Sequence, residues 1–158
     1  MKKTLVLGLG NLILTDDGIG IHVVRALASH PLPPGVVTAE TSLGGLRILE
    51  TILGYQRIIL VDAIQTAEGK AGEIYTFDPS SLQASLHSGS THDLSLFGAL
   101  QMGRELGMDI PDDSDIPIVA VQVEDVQTLG ETLTPDVEAA IPAAVIVVMT
   151  ILKEQGHF

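Results

Sequence analysis

Residues 4–20 read TLVLGLGNLILTDDGIG, and this stretch decides the fold. Its first part, Thr4 to Leu7, is a short apolar run that ends at a glycine, as expected for a buried strand. A turn-rich loop from Gly8 to Gly18 follows. The helix predicted after the loop has an apolar stripe at helical spacing, formed by Ile19, Val23 and Leu27. A strand, a loop and a helix in this order are typical of α/β proteins.

Strands and helices alternate along the rest of the chain. The clearest strand is Arg57 to Val61, a continuous apolar run that stops at Asp62, as expected when helices cover both faces of a sheet. Thr134 and Pro135 have the form of a helix start, and Pro142 should kink the helix that follows. Further strands are predicted over 36–39, 73–77 and 116–123, and further helices over 46–53 and 94–106. The pattern predicts one domain over residues 1–158, a three-layer α/β/α sandwich with a mostly parallel sheet of about five strands.

Composition narrows the function classes. Eight basic and 20 acidic residues give a net charge of −12, which repels phosphate backbones and argues against nucleic acid as a partner. The charge suits a basic partner or a metal cation, although solubility alone also explains it. The chain has no cysteine, which excludes disulfides, a thiolate nucleophile and cysteine-based metal sites.

Targeting signals are not evident in the sequence. The basic start, Met1 to Lys3, is followed by an apolar run that soon meets glycines and the acids Asp16 and Asp17, unlike a signal peptide. The most apolar segment, 139–152, is too short for a membrane span and is interpreted as a buried helix. We therefore expect a cytoplasmic monomer without a membrane span.

Acidic residues follow two strands that we expect to be central and parallel. Asp62 ends one of them, and Asp16 and Asp17 lie in the loop after the other. Ligands of open α/β sheets bind beyond the carboxyl ends of the strands, so these acids should share one crevice. His92, in the long loop predicted before the next helix, could fold over the same edge. Two carboxylates and an imidazole suit a divalent metal such as zinc, iron or nickel.

Each of these residues also has a purely structural interpretation. Asp17 could cap the helix that starts near Gly18, Asp62 could bind turn amides, and His92 could be solvated. His87 is a weaker candidate in the same loop as His92. The remaining histidines are interpreted as one structural residue, His22, and two surface residues, His30 and His157.

Standard motifs are mostly absent. The run from Gly8 to Ile13 begins like a dinucleotide fingerprint but has Ile13 where the third glycine belongs, and the two acids after it would repel a pyrophosphate. The sequence has no P-loop, no H-E-x-x-H and no G-x-S-x-G. From the residues alone, the prediction ends at an acidic crevice suited to a metal.

The chain resembles the hydrogenase maturation proteases over nearly its whole length. The segment 7–20 is similar to their opening strand, G-x-G-N element, acidic pair and G-x-G. The other matching elements are Leu60-Val61-Asp62-Ala63, Gly72-Glu73-Ile74, Thr91-His92-Asp93, Leu133-Thr134-Pro135 and Val137-Glu138-Ala139-Ala140. One departure concerns the acid followed by two small residues after the second strand, where this chain has Glu40-Thr41-Ser42 and a displaced Gly44-Gly45.

The resemblance implies an endopeptidase that removes a C-terminal extension from the nickel-loaded large-subunit precursor of a nickel-iron hydrogenase. The three nickel-binding positions of the family fall on Asp17, Asp62 and His92. The nickel would come with the precursor, and other divalent cations could substitute for it. Asp16 would support the site, and either Asp16 or Asp62 is a candidate general base.

Two alternatives remain at this point. A nickel-binding chaperone without catalytic activity would use the same ligands. A peptidyl-tRNA hydrolase also opens with a strand and G-L-G-N, but it needs a basic groove for RNA and usually has proline where this chain has Leu12.

Overall fold

The computed structural model describes residues 2–42, 46–81 and 91–157, without the side chains of residues 46 and 91–95. The sheet has the strand order β2-β1-β3-β5-β4, and only β4 runs antiparallel to its neighbour. The five strands are β1 (Thr4–Leu9), β2 (Val36–Thr41), β3 (Arg57–Ile64), β4 (Ile74–Phe77) and β5 (Ile118–Gln122). The predicted mostly parallel sheet of five strands is confirmed.

Helices cover both faces of this sheet. They are α1 (Ile19–Ala28), α2 (Leu46–Ile52), α3 (Thr91–Glu105), α4 (Pro135–Ala139) and α5 (Ile141–Glu154). Alternate side chains of the strands enter different cores, because successive side chains of a strand point to opposite faces. Val6 and Val61 pack with α1, α4 and α5, whereas Leu7 and Leu60 pack with α2 and α3. The predicted three-layer sandwich is therefore confirmed.

The last helical run confirms the kink expected at Pro142. The run is broken at Ala140 into α4 and α5, and Pro142 lies in the first turn of α5. Proline has no amide hydrogen to donate to the carbonyl of Glu138, so the helix cannot continue regularly through this point.

The helical run Pro135–Glu154, which contains α4 and α5, is the one run of the described chain that is long and apolar enough to cross a membrane by length and composition, with a mean hydropathy of 1.8. One of its faces belongs to the core, however, and α5 packs against α1. The buried side chains of α5 are Ala144, Val145, Val148 and Leu152. The interpretation of a buried helix is confirmed for this face, and the absence of a membrane span stays a prediction.

Glycines of the opening segment allow backbone segments to touch. A Cβ on Gly20 would lie 2.2 Å from the carbonyl oxygen of Val61 and 2.5 Å from that of Leu9. A Cβ on Gly10, whose φ is +148°, would lie 2.0 Å from the carbonyl oxygen of Asp17. These glycines therefore let the loop after β1 and the start of α1 pack directly on the ends of β1 and β3.

We expect Gly20→Ala to lower the free energy of unfolding by about 3 kcal/mol or more, because overpacking against fixed backbone forces the helix away from the sheet. Urea denaturation followed by circular dichroism measures this change. Gly98→Ala is the matched control, since a Cβ on Gly98 in α3 meets nothing within 4 Å. The control should be neutral or more stable by up to about 1 kcal/mol. Equal stability of both variants would contradict the packing role of Gly20.

Candidate active site

Asp62 lies at the carboxyl edge of the sheet, between β1 and β5. The sequence predicted that the strand stops at this residue, but β3 continues to Ile64 because Ala63 and Ile64 still pair with β5. The neighbouring strand β1 ends at Leu9, one residue beyond the pair formed by Gly8 and Val61. Asp62 is thus an internal residue of β3 that stands beside the end of β1.

The Asp62 carboxylate is held in place by its own strand. Its side chain is 4% exposed, and its Oδ1 accepts a hydrogen bond from the amide of Ala63 at 2.8 Å. Asp62 shares a face of the strand with Leu60, because side chains alternate, and Leu60 packs with α2 and α3. The carboxylate therefore lies on the side of the sheet that α3 covers.

Asp17 lies in a 3-10 turn, Thr15–Gly18, that contacts β3. Its side chain is 7% exposed, and its Oδ2 accepts a hydrogen bond from the amide of Asn11 at 2.9 Å. The N-cap position of α1 is occupied by Gly18, so the capping interpretation of Asp17 is wrong. The glycine-rich loop after β1 instead folds around this carboxylate and brings it to the edge of the sheet where Asp62 lies.

Asn11 organises the same loop. Its Oδ1 accepts a hydrogen bond from the amide of Ile13 at 3.1 Å, while its own amide binds Asp17. A short polar side chain that binds an amide two residues later is a typical turn former. The asparagine of the G-x-G-N element thus shapes the turn and presents one amide to the acid six residues later.

The Asp16 carboxylate has a different set of partners. It is fully buried and accepts four hydrogen bonds from the segment that follows β5. Its Oδ2 binds the amides of Glu124 at 3.1 Å and Asp125 at 3.0 Å, and the hydroxyl of Thr134 at 2.8 Å. Its Oδ1 binds the amide of Thr134 at 2.7 Å. Thr134 is the N-cap residue of α4, as predicted, but its hydroxyl is used for Asp16 and not for the helix.

Backbone contacts strengthen this connection between residues 11–16 and residues 124–134, which we call the clasp. The amide of Gly130 donates to the carbonyl of Ile13, and the amide of Thr15 donates to the carbonyl of Gly130, both at 2.9 Å. Thr15 has a φ of 51° and its hydroxyl donates to the carbonyl of Thr128. The clasp was not predicted, because its two halves are more than 100 residues apart in the sequence.

His92 is the second residue of α3, so its prediction as a loop residue is wrong. At the other end of α3, Arg104 donates to the carbonyl of Pro111 at 2.9 Å and to Asp113 at 2.7 Å, shortly before β5 begins. A 15-residue helix is about 22 Å long. The end of α3 therefore lies near the start of β5, so the helix begins toward the carboxyl edge of the sheet, where Asp62 lies, and runs away from that edge.

The His92 side chain and the whole of His87 lie outside the described residues. Within the described side chains, no group of three or more His, Asp or Glu residues forms a metal site. Two carboxylates of the predicted set, Asp17 and Asp62, are thus described at one edge, and the contribution of His92 stays a prediction.

A small cleft borders the loop that carries Asp17, at Leu12. It has a volume of about 250 Å³ and is lined by Leu12, Ile21, Glu40, Thr41 and Ser42. Glu40 forms an ion pair with Arg25 of α1, with Nη2 and Oε1 at 2.6 Å. The arginine lowers the pKa of the Glu40 carboxyl. Gly44 and Gly45 lie outside the described residues.

His22 lies in α1, near the charged residues Arg25, Glu40 and Glu138. Burial, with the charge of Arg25 as a second cause, lowers its pKa. Its Nε2 is buried and has no hydrogen-bond partner in the described part of the chain. The structural role expected for His22 stays a prediction.

Comparisons with known proteins agree with the resemblance of the motifs. A family model described as hydrogenase maturation protease matches residues 21–151. The hydrogenase 2 maturation protease of Escherichia coli (strain K12) is 31% identical over 157 residues, which cover 98% of this chain and 93% of the relative.

Solved structures agree with this relation. The hydrogenase maturating endopeptidase HybD from E. coli superposes with a TM-score of 0.85 at 31% identity, covering 98% of this chain and 94% of that one. The NiFe hydrogenase maturation protease HybD from Thermococcus kodakarensis has a TM-score of 0.74 at 25% identity, covering 94% and 98% of the two chains. The chain therefore belongs to the hydrogenase maturation protease family and is a hydrogenase maturation endopeptidase.

Proposed function

We propose that this endopeptidase removes the C-terminal extension from the nickel-loaded large-subunit precursor of a nickel-iron hydrogenase, acting as a monomer in the cytoplasm. The observation that carries the proposal is the pair of nearly buried carboxylates, Asp17 and Asp62, at the carboxyl edge of the sheet near the neighbouring parallel strands β1 and β3. The absence of cysteine from the chain suits a reducing compartment and leaves the thiolate ligands of the metal to the precursor.

The donor set fits a borderline divalent metal. Carboxylate oxygens and an imidazole nitrogen bind nickel, zinc and iron, and three such ligands leave positions for donors from another molecule. Asp17 and Asp62 are each oriented by a backbone amide, so little reorganisation is needed when a cation arrives. The nickel belongs to the precursor, and Asp17, Asp62 and His92 would complete its coordination.

In this proposal the metal is first a recognition element. Binding nickel at a fixed place on the enzyme would position the scissile bond, which is a large part of catalysis in general. A bound cation can also polarise a carbonyl or acidify a water molecule. The chain itself supplies the buried edge of the sheet that holds and orients the precursor.

Asp16 and Asp62 are not equally suited to act as a general base. Asp16 accepts four hydrogen bonds from 124–134 and is fully buried, so taking up a proton would break part of the clasp. We therefore assign Asp16 a positioning role, in which it fixes the turn that carries Asp17. Asp62 is the better candidate for proton transfer because it lies at the proposed metal edge.

A processing assay tests the proposal. The protein is incubated with the large-subunit precursor, purified with and without nickel, and the precursor mass is measured by mass spectrometry. We expect loss of a C-terminal peptide from the nickel-loaded form alone. An unchanged mass with proven nickel would favour a metallochaperone, and equal cleavage of both forms would exclude nickel as the recognition element.

His92→Ala should block processing by at least about 100-fold, because loss of a metal ligand costs more than loss of its supporting partner. The fold should persist, since alanine is the best helix former and position 92 belongs to α3. The melting temperature and the cleavage rate are measured together. His30→Ala, an exposed histidine that binds the carbonyl of Ala26, is the control. Full processing by His92→Ala would remove this residue from the site.

A further inference from the structure

Two large apolar side chains lie exposed beside the Asp17 loop. Ile13 is 52% exposed and Leu129 is 76% exposed. Leu14 and Gly130 form a parallel bridge between the two halves of the clasp. Ile13 and Leu129, the residues that precede the bridge, are therefore close together on adjacent backbone segments.

Single exposed apolar residues are normal on protein surfaces. Ile13 and Leu129 are distinguished by their position, because both lie on the clasp. The clasp holds both residues firmly: the amide of Gly130 donates to the carbonyl of Ile13 at 2.9 Å. The buried Asp16 carboxylate joins the same two segments through its four hydrogen bonds. A backbone that is ordered before binding reduces the conformational entropy lost on binding, which favours a role in recognition.

The charged residues of the clasp itself are all acidic. Glu124 and Glu131 are exposed on the same half of the clasp as Leu129, and Asp136 is exposed in the first turn of α4. No lysine or arginine occurs in residues 4–24 or in residues 105–152, which contribute the two halves of the clasp. A partner that covers Ile13 and Leu129 should therefore bring basic residues to the rim of the contact.

The position of the pair indicates which molecule covers it. Ile13 lies in the same short loop as Asn11 and Asp17, between a backbone donor to the proposed metal ligand and the ligand itself. Under the proposed function the metal of the precursor reaches Asp17, so the precursor would lie close to this loop and to the apolar pair on it.

We propose that Ile13 and Leu129 form a docking surface for the large-subunit precursor, and that they receive an apolar side chain flanked by lysine or arginine. This inference rests on the proposed function, because the precursor is its occupant. The pair gives apolar contact area at the centre, and the acids around it select a basic client and exclude acidic ones.

The test compares Ile13→Ser/Leu129→Ser with the wild type in the processing of nickel-loaded precursor. We expect a rise in KM of at least about 10-fold, with kcat within about twofold, since the contact is made equally in the ground and transition states. Ile146→Ser is the control, because Ile146 is 65% exposed on α5 and belongs to another surface. Its KM should stay at the wild-type value. An unchanged KM in the double serine variant would overturn the docking surface.

The acidic rim has its own variant, Glu124→Gln/Glu131→Gln. We expect its KM to rise less than that of the serine variant and to depend less on salt between about 50 and 200 mM NaCl, because rim charges act through screened attraction. A salt dependence equal to that of the wild type would contradict the choice of a basic partner.

Failure of docking and failure of the proposed function are distinguishable. If the wild type does not shorten the precursor, the proposed function fails, and binding of the precursor is measured directly by fluorescence anisotropy. A Kd weakened at least about 10-fold in the double serine variant would still support the docking surface. An equal Kd for both proteins, or no binding by the wild type, would overturn it.

Discussion

Replacing Asp16 with alanine should lower the free energy of unfolding by about 4 kcal/mol, the largest effect on stability that we expect for a single polar residue of this chain. The change leaves three amides and one hydroxyl without their acceptor, from Glu124, Asp125 and Thr134. A buried donor without a partner costs about 1–3 kcal/mol, and water entering the space offsets part of the sum. Urea denaturation measures the loss.

Asp16→Asn should fall between the wild type and the alanine variant. The side-chain amide of asparagine has the shape of the carboxylate. Its nitrogen is a hydrogen-bond donor, however, and would face protein groups that are also donors. Asp109→Ala, at an exposed acid near the end of α3, is the control and should change stability by less than about 0.5 kcal/mol. If Asp16→Ala costs no more than the control, the clasp does not hold the Asp17 turn in place.

Replacing Asp17 with asparagine should affect activity and leave stability nearly unchanged. We expect processing to fall at least about 100-fold and the free energy of unfolding to change by less than about 1 kcal/mol. The asparagine oxygen can still accept the hydrogen bond from the amide of Asn11. The negative charge that attracts a divalent cation is lost. Asp62→Asn should behave in the same way, because its oxygen can still accept from the amide of Ala63.

The two measurements for these variants are the cleavage rate of nickel-loaded precursor and the midpoint of urea denaturation. Asp109→Asn removes one negative charge from another part of the surface and controls for net charge. Processing within about tenfold of the wild type would remove Asp17 from the site. A stability loss of several kcal/mol would instead assign Asp17 a structural role in the loop.

Local patterns in the sequence were sufficient to predict the layers and the sheet. The apolar run of β3 and the stripe of Ile19, Val23 and Leu27 report burial directly, because a strand covered on both faces and a helix covered on one have different periodicities. The end of β3 was predicted three residues early, since an aspartate interrupts the apolar run while the pairing with β5 continues. The start of α3 was predicted three residues late, because Thr91, His92 and Asp93 lack the apolar stripe.

The two carboxylates at one edge were predicted from the rule that ligands of parallel sheets bind at the carboxyl ends of strands. The different roles of Asp16 and Asp17 were not, because adjacent identical residues are distinguished only by their partners. Asp17 accepts a hydrogen bond from Asn11 in its own loop, whereas Asp16 accepts its side-chain hydrogen bonds from residues in 124–134. Pairing between segments so far apart leaves no periodic signal in a single sequence, and the acidic, turn-rich character of 124–134 merely indicates a loop.

A crystal structure of the protein soaked in Ni²⁺ tests the shared metal site most directly. We expect one nickel ion within about 2.0–2.2 Å of carboxylate oxygens of Asp17 and Asp62 and of a ring nitrogen of His92, with the other coordination positions open to solvent. A nickel ion bound elsewhere would contradict the assignment of the site. An imidazole of His92 that points away from both carboxylates while the metal is bound would contradict it equally.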